Sequence, residues 1–393
     1  MNPQPFRTLF AYPFRIFFLA AAGYAIVALP AWLTVIIGGL PLNGSIPALN
    51  WHAHEMLFGF TGAAIAGFLL TAMCNWTGAA PLEGRRLMLL FLCWLAGRMA
   101  MWLSSALPEA VVALIDLSFP AIVTVYAGRI IIAAGSRRNL VLVAVLAVFC
   151  LCNAGFHLGL LTDRIGLVIA SERAALLLVV ILITVIGGRI TPAFSRNWLQ
   201  RQARSSHSVR AWAWLDRSTI GSLLALVIAL FAFGSSPLTG ALACAAALFQ
   251  SARLLAWSGW STAREPLLWI LHLGQVFIPL GLGLMAAAML GLAIPATAWA
   301  HALGTAVAIM ILGVMTRVAL GHTGRPLTLP TGGVALYAAA IAAMLLRLAV
   351  ALGWLPWRGG LLVSGLLWML AFLGFVLIYW PILSRPRVDG RLG

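Results

Sequence analysis

The chain has 393 residues, of which 63% are hydrophobic and only 9% are charged. Soluble domains do not carry so much apolar surface, so the long apolar stretches predict membrane spans. At about 20 residues per span, the length allows roughly a dozen transmembrane helices and no soluble domain of ordinary size. The net charge of +16 does not indicate nucleic-acid binding, because the arginines are spread singly over many loops.

The apolar runs predict an all-α, polytopic membrane bundle of about 12 helices that forms a single integral membrane domain over residues 1–393. The first run is too long for a cleavable signal peptide and is taken as the first span. The predicted spans are 14–38, 52–73, 87–105, 109–134, 139–160, 169–189, 214–232, 237–257, 266–290, 295–320, 331–353 and 358–382.

Arginine supplies all 25 basic residues, and its distribution over the loops predicts the orientation. Twenty arginines lie on one side of the predicted membrane. The other five are Arg164, Arg173 and Arg358 on the opposite side, and Arg98 and Arg347 in spans near that side. The basic side of a membrane protein faces the cytoplasm. We therefore expect both termini in the cytoplasm and the chain in the bacterial inner membrane.

The polar segment 190–216 is predicted to be a cytoplasmic connector between two six-span halves. Its basic and aromatic residues suit the anionic surface of the inner leaflet. Small residues in the later spans, Gly281, Gly283, Gly304 and Gly313, are expected to let helices approach closely.

Six of the seven histidines lie in or at the ends of predicted spans, where ionisable groups are costly and indicate function. His207 lies in the connector and is expected to be solvated. The orientation places four of the six toward the outer face, and these are His52, His54, His157 and His301. His272 and His322 lie toward the inner face.

Neutral imidazole binds iron, copper and zinc, and a b-type haem needs one or two axial histidines in an apolar slot. The four outer histidines could supply them. His52 and His54 project about 200° apart around a helix, so they would serve two neighbouring centres, or one would bind metal while the other hydrogen-bonds. The alternative for each histidine is a hydrogen bond to a backbone carbonyl. Covalent c-type haem is excluded because the sequence contains no CxxCH.

Few other charged residues lie near the outer histidines. Glu55, Asp116 and Glu172 could fix histidine tautomers, or pair instead with an arginine. Arg98 and Arg347 are candidate partners for haem propionates, and the alternative is that both extend to the membrane interface.

Four stretches resemble the NnrS family. They are WHAHEMLFGFTGAAIAGFLLTAMCNWTG, GRITPAFSRNWL, EPLLWILHLGQVFIPLGL and HALGTAVAIMILGVMTRVALGHTGRPL. The resemblance implies a bacterial membrane protein that contains haem b and copper and is tied to denitrification and the nitric oxide response. It implies no settled reaction. The family's histidines fall on His52, His54, His272, His301 and His322, whereas His157 lies outside these motifs.

The topology is also similar to that of the catalytic subunits of haem–copper oxidases and nitric oxide reductases, which hold haem on spans 2 and 10 toward the outside. That similarity favours His54 and His301 as one axial pair. The chain departs from those enzymes because its HxH lies on span 2, and its spans 6 and 7 contain no histidine. The similarity therefore does not imply the binuclear metal centre of those enzymes.

Three functions follow from these observations. The first is a haem and copper protein that binds, senses or relieves nitric oxide, with lipid, haem, nitric oxide and a respiratory electron donor as partners. The second is a twelve-span secondary transporter, which would hold no cofactor. The third is a factor that delivers haem or copper to a respiratory reductase.

Overall fold

The computed structural model describes residues 4–39 and 46–391, and the regular structure of these residues is entirely helical. This confirms the all-α prediction. The second predicted span is continuous but has three parts, because a π-helical segment (Glu55–Thr61) lies between two α-helices. The helices are α1 (Gln4–Leu9), α2 (Pro13–Gly38), α3 (Ala48–His54), α4 (Gly62–Thr77), α5 (Gly84–Trp102), α6 (Glu109–Ala133), α7 (Leu140–Leu161), α8 (Ile165–Arg201), α9 (Ala213–Phe233), α10 (Pro237–Trp257), α11 (Pro266–Met289), α12 (Ala296–His322), α13 (Gly333–Ala351) and α14 (Trp357–Leu383).

Eleven helical stretches of the described residues are long and apolar enough to cross a membrane. The predicted span that is missing from these eleven is the third, 87–105, which corresponds to α5, whose 19 residues include Arg85, Arg86 and Arg98. Two of these arginines lie in its first turn, at the predicted cytoplasmic end. The third is buried and paired with carboxylates inside the protein. Internal pairing removes most of the free-energy cost of burying this charge. A criterion that only counts charged residues therefore overstates how unfavourable α5 is as a membrane span.

The helices present large apolar side chains on their outer surfaces, as a protein surrounded by lipid requires. Leu114, Ile228 and Leu377 are among the most exposed of them. A water-soluble protein does not leave so many such residues uncovered. The chain is therefore a multi-pass membrane protein.

The polar segment predicted at 190–216 is shorter than expected. The sequence analysis ends the sixth span at residue 189, but α8 continues through Pro192 to Arg201. A proline inside a membrane helix is tolerated where neighbouring groups satisfy the backbone. The irregular part of the predicted connector is therefore confined to residues 202–212.

The chain divides into two compact units. Unit 1 comprises Met1–Ala175, Met315–Leu336 and Trp368–Gly393, and unit 2 comprises Leu176–Val314 and Tyr337–Leu367. The division falls within α8, α12, α13 and α14, so these units are not the two six-span halves of the sequence.

The core of unit 1 is aromatic. Phe17 and Phe18 of α2 press against Gly67 of α4, where a Cβ atom would lie 2.9 Å from the Phe18 ring. Phe17 also meets Phe119 of α6 at 5.7 Å between ring centroids. These contacts hold α2, α4 and α6 together near the start of α2, toward the predicted cytoplasmic end of the unit.

Two of the four glycines expected to mediate close helix packing do so in unit 2. A Cβ on Gly281 would lie 2.6 Å from Leu303, and one on Gly313 would lie 3.0 Å from Ile270. The expectation is wrong for Gly283 and Gly304, where a Cβ would meet nothing within 4 Å. Small residues are common on both faces of membrane helices, so size alone did not identify the contact face.

The number of spans can be tested by the side of the membrane that each end of α5 faces. Alkaline phosphatase fused after residue 81 should be inactive and fused after residue 105 active, because α5 carries the chain outward. Green fluorescent protein at the C-terminus should fluoresce, since twelve spans return the chain to the cytoplasm. An active phosphatase at the C-terminus would instead show that one predicted span does not cross.

Candidate metal site

The candidate site begins where α3 gives way to the π-helical segment. His54 is the last residue of α3, and Glu55 is the first residue of the π-helical turn. The indole of Trp94 on α5 donates a hydrogen bond of 3.1 Å to the carbonyl of Gly59 within this segment. A single π-helical stretch inside an α-helix shifts the faces of neighbouring side chains and often marks a functional position. Here it turns Glu55 and His54 toward the same interior.

Asp116 on α6 is the centre of the polar network. Its Oδ2 lies 3.0 Å from His157 Nε2 and 3.2 Å from His54 Nε2, and it accepts a 2.7 Å hydrogen bond from Asn153 Nδ2. Its Oδ1 pairs with Nη2 of Arg98. One carboxylate on α6 therefore contacts groups from three other helices, α3, α5 and α7.

Glu55 is the second carboxylate of the network. Its Oε1 accepts a 2.5 Å hydrogen bond from Arg98 Nη1 and lies 2.8 Å from His54 Nδ1. Its Oε2 accepts a hydrogen bond from the hydroxyl of Tyr24, which in turn accepts one of 3.0 Å from the Trp102 indole. Arg98 thus joins Glu55 to Asp116 with the two ends of one guanidinium group.

The network is sealed from solvent and lipid, and its charges do not cancel. The side chains of His54, Glu55 and Asp116 are 0% exposed, and those of Arg98 and His157 are 4% exposed. Two carboxylates face one guanidinium, which leaves one negative charge when both imidazoles are neutral. An uncompensated buried charge is strongly unfavourable. The site therefore requires one more positive charge, either a metal ion or a proton on one of its carboxylates or histidines.

The hydrogen bonds of His54 lead to the same conclusion. Its Nδ1 faces Glu55 Oε1, and its Nε2 faces Asn153 Oδ1 at 2.9 Å, so both ring nitrogens meet oxygen atoms. A neutral imidazole donates from one nitrogen only. An extra proton, or a metal ion in its place, satisfies the second nitrogen.

Three members of the network can hold a metal ion together. One ligand atom each from His54, Asp116 and His157 lie within 4.8 Å of one another, and all three residues are buried. Two imidazoles and a carboxylate form a donor set suited to copper, zinc or iron. Glu55, Asn153 and Arg98 bond to these ligands and fix their orientation, as outer-shell partners of metal ligands do.

Aromatic rings enclose the imidazole of His54. Phe58 and Phe156 lie 4.9 Å and 4.6 Å from it between ring centroids. The ring of His157 is 5.5 Å away and nearly perpendicular. These rings shield His54 from water. A cation would therefore lie on the side of His54 that faces Asp116 and His157.

The other two outer histidines lie outside this cluster. His52 stacks on the indole of Trp32 at 4.2 Å between ring centroids. The predicted divergence of His52 and His54 is therefore confirmed by their separate surroundings. His301 belongs to unit 2, where its Nδ1 bonds to the carbonyl of Thr297 at 2.6 Å.

The remaining predicted site residues have surroundings of their own. His272 is buried in unit 2 and lies 2.9 Å, Nε2 to Oγ, from Ser195 of α8. His322 ends α12 and packs 5.5 Å from the ring of Phe14. Arg347 is half-buried on α13 in unit 2.

The two interpretations offered for the acidic residues both hold within one network. Glu55 and Asp116 orient histidines and also pair with Arg98. Glu172 lies elsewhere and accepts a 3.0 Å hydrogen bond from Asn50. Arg98 is engaged by both carboxylates, so its proposed contact with a haem propionate stays a prediction.

Sequence reasoning missed Asn153 and Tyr24. Asn153 precedes His157 by four residues on α7, and this spacing places both on one helix face. A search for polar residues at that spacing from each histidine would have found it. No local pattern distinguishes Tyr24 from the other aromatic residues of α2, because its role depends on contact with a separate helix.

Replacing Arg98 should leave Glu55 and Asp116 without the positive charge that they share. We expect Arg98→Met to destabilise the protein by about 3–5 kcal/mol, since two buried carboxylates lose their partner. Unfolding in detergent measures this loss. Arg347→Met is the control, because Arg347 takes part in none of the ion pairs among the described residues. Adding Asp116→Asn to Arg98→Met should cost less than the sum of the single changes, whereas strict additivity would contradict the coupling.

The close packing at Gly59 gives a second stability test. A Cβ there would lie 2.9 Å from Arg98 Nη1 and 2.9 Å from the Tyr24 ring. We expect Gly59→Ala to cost about 1–3 kcal/mol because it displaces both buried partners. Gly23→Ala on α2 is the matched control, with nothing within 4 Å of its Cβ, and should be neutral or slightly stabilising. Equal unfolding midpoints for the two variants would show that Gly59 does not position Arg98.

Comparison with known proteins identifies the family of the chain. No curated protein and no solved structure matches the chain significantly. The sequence model of the family described as NnrS protein matches residues 8–387, which is nearly the whole chain and includes every long helix. That match confirms the resemblance carried by the four sequence motifs. The chain therefore belongs to the NnrS family.

Proposed function

We propose that this protein binds a metal in the bacterial inner membrane and acts there in the response to nitric oxide during denitrification. The observation that carries the proposal is the buried group of His54, Asp116 and His157, whose ligand atoms lie within 4.8 Å of one another. Two imidazoles, a carboxylate and a net negative charge favour a bound cation. Membership of the NnrS family supports the link to nitric oxide.

Copper is the ion that we assign to this group. Imidazole is a common copper ligand, and family membership favours copper over zinc and iron. His54 and His157 would bind through ring nitrogens and Asp116 through its carboxylate, while Asn153 and Arg98 hold that carboxylate in place. Bound copper would supply a one-electron redox couple. Each ligand side chain is at most 4% exposed, which favours a resident ion over cargo for delivery to another protein.

Haem b fits His301 better than it fits His54. An axial ligand must direct a nitrogen into an apolar slot, but both nitrogens of His54 face oxygen atoms. At His301, Nδ1 donates a hydrogen bond to the carbonyl of Thr297, so a neutral ring carries its proton on Nδ1, as the ring of a metal-binding histidine often does. We therefore propose that His301 ligates haem. The axial pair of His54 and His301 stays a prediction. The experiment below distinguishes haem held by His301 without His54 from haem held by both histidines.

A small neutral gas suits a site in this position. Charged ligands pay a large desolvation cost to enter a buried, lipid-surrounded interior. Nitric oxide carries no charge and dissolves in hydrocarbon, so it reaches a sealed site without a water-filled channel. The aromatic walls around His54 then exclude competing ions.

The decisive experiment is metal analysis with a reduced-minus-oxidised spectrum on detergent-purified protein from cells supplied with haem and copper. We expect about one copper per chain, lost in His157→Ala, and a b-type haem lost in His301→Ala but kept in His157→Ala. Asn153→Leu should weaken copper binding by about 10–100-fold, because it removes a group that orients the ligands. His207→Ala, in the exposed connector, is the matched control and should keep both.

Two results would change the proposal. Loss of haem in both His54→Ala and His301→Ala, with copper retained, would establish the axial pair instead. A wild-type protein that holds neither haem nor copper would refute the metal proposal and favour the transporter.

A further inference from the structure

A second group of charged residues lies at the opposite, predicted cytoplasmic end of unit 1. It contains four arginines from three separate parts of the chain, and we call it the C-terminal arginine cluster. Its members are Arg15 at the start of α2, Arg325 just after α12, and Arg385 and Arg387 in the segment that follows α14.

Backbone contacts hold the C-terminal segment in place against the other two parts. Arg15 Nη1 donates hydrogen bonds to the carbonyls of Leu383 at 2.6 Å and Arg385 at 2.9 Å. Arg387 Nη1 donates to the carbonyl of His322 at 2.9 Å, at the end of α12. The arginines are thus fixed near one another by the fold and are not four independent side chains in solvent.

The cluster has far more positive than negative charge. Among residues 4–39 and 46–391, Asp389 is the carboxylate that forms an ion pair with the cluster, and it binds Arg387 in a bidentate pair with distances of 2.8 Å and 2.6 Å. This pairing holds the pKa of Asp389 well below its usual range. Burial and the charge of Arg385 lower the pKa of Arg325, so its surroundings disfavour its positive charge. One carboxylate cannot offset four arginines, and an additional anion would stabilise the group.

Arg325 also has a buried donor that meets no acceptor. Its Nη1 is shielded from solvent and lacks a hydrogen-bond partner among residues 4–39 and 46–391. Leaving a buried charged donor unsatisfied is costly. The unsatisfied donor, the excess of positive charge and the fixed backbone are three separate observations, and all three favour an anionic ligand at this position.

We propose that the C-terminal arginine cluster binds a phosphate group. Arginine presents several N–H donors in a plane that matches phosphate oxygens, and several arginines together form a typical phosphate site. The cluster lies at the end of the spans, where the phosphates of anionic inner-leaflet lipids are concentrated. Inorganic phosphate offers the same chemistry, so the experiment includes both sources.

The test measures the thermal unfolding midpoint of the delipidated full chain in detergent. The additions are phosphatidylglycerol, phosphatidylcholine and inorganic phosphate, each titrated separately. We expect phosphatidylglycerol to raise the midpoint in a saturable way, because a ligand that binds only the folded state stabilises it. Phosphatidylcholine should have little effect. Arg325→Gln should weaken the phosphatidylglycerol response by about 10-fold or more.

Controls separate a specific site from a generally basic surface. Arg217→Gln removes an exposed arginine near the start of α9 and should leave the response unchanged. If Arg325→Gln does not fold, Arg385→Gln provides a second test, because Arg15 binds the backbone carbonyl of Arg385 and not its side chain. A saturable response to inorganic phosphate that Arg325→Gln abolishes would identify free phosphate as the ligand. Equal responses in wild type, Arg325→Gln and Arg217→Gln, or none at all, would overturn the proposal.

Discussion

The structure of unit 1 depends on one guanidinium group that joins two carboxylates inside the membrane. Arg98 on α5 reaches Glu55 of the π-helical segment and Asp116 of α6. Each of these charges alone would be expensive in a lipid-surrounded interior, and together they cost much less. The pairing explains how α5 can span a membrane with three arginines in its 19 residues. It also explains why α3, α5, α6 and α7 meet at one point, because no carboxylate there can lose its partners without leaving a buried charge.

Close approach of the backbones makes this pairing possible. At Gly97 on α5, a Cβ would lie 3.2 Å from the carboxylate of Asp116 and 3.3 Å from its Cα. The missing side chain lets α6 bring Asp116 to the arginine one residue further along α5. Gly59 likewise leaves room for the guanidinium of Arg98, because a Cβ there would lie 2.9 Å from its Nη1. The π-helical turn completes the arrangement by directing Glu55 inward. Two glycines and one local irregularity thus place groups that unmodified α-helices would keep apart.

Sequence reasoning recovered the fold more fully than the site. Long apolar runs sufficed for the spans, because the membrane allows few other structures. His54, His157, Glu55 and Asp116 were recognised as candidates because polar residues within spans are rare. Their assembly could not be predicted, since His157 and Asp116 are 41 residues apart in sequence and meet through the packing of α7 against α6. The continuation of α8 past Pro192 was missed for a related reason: the polar composition after residue 189 reads as a loop, and only tertiary packing keeps it helical.

The net charge of the network influences which oxidation state of a bound metal ion it would stabilise. With both imidazoles neutral and both carboxylates ionised, Glu55, Asp116 and Arg98 together carry one negative charge. A monovalent cation makes the whole site neutral, whereas a divalent cation leaves one positive charge in an interior of low polarity. Because buried net charge is unfavourable, copper bound here as proposed would be held better in its monovalent state than in its divalent state. Arg98 contributes to this preference through its charge. Without it, the same ligands would carry two negative charges and favour the divalent ion.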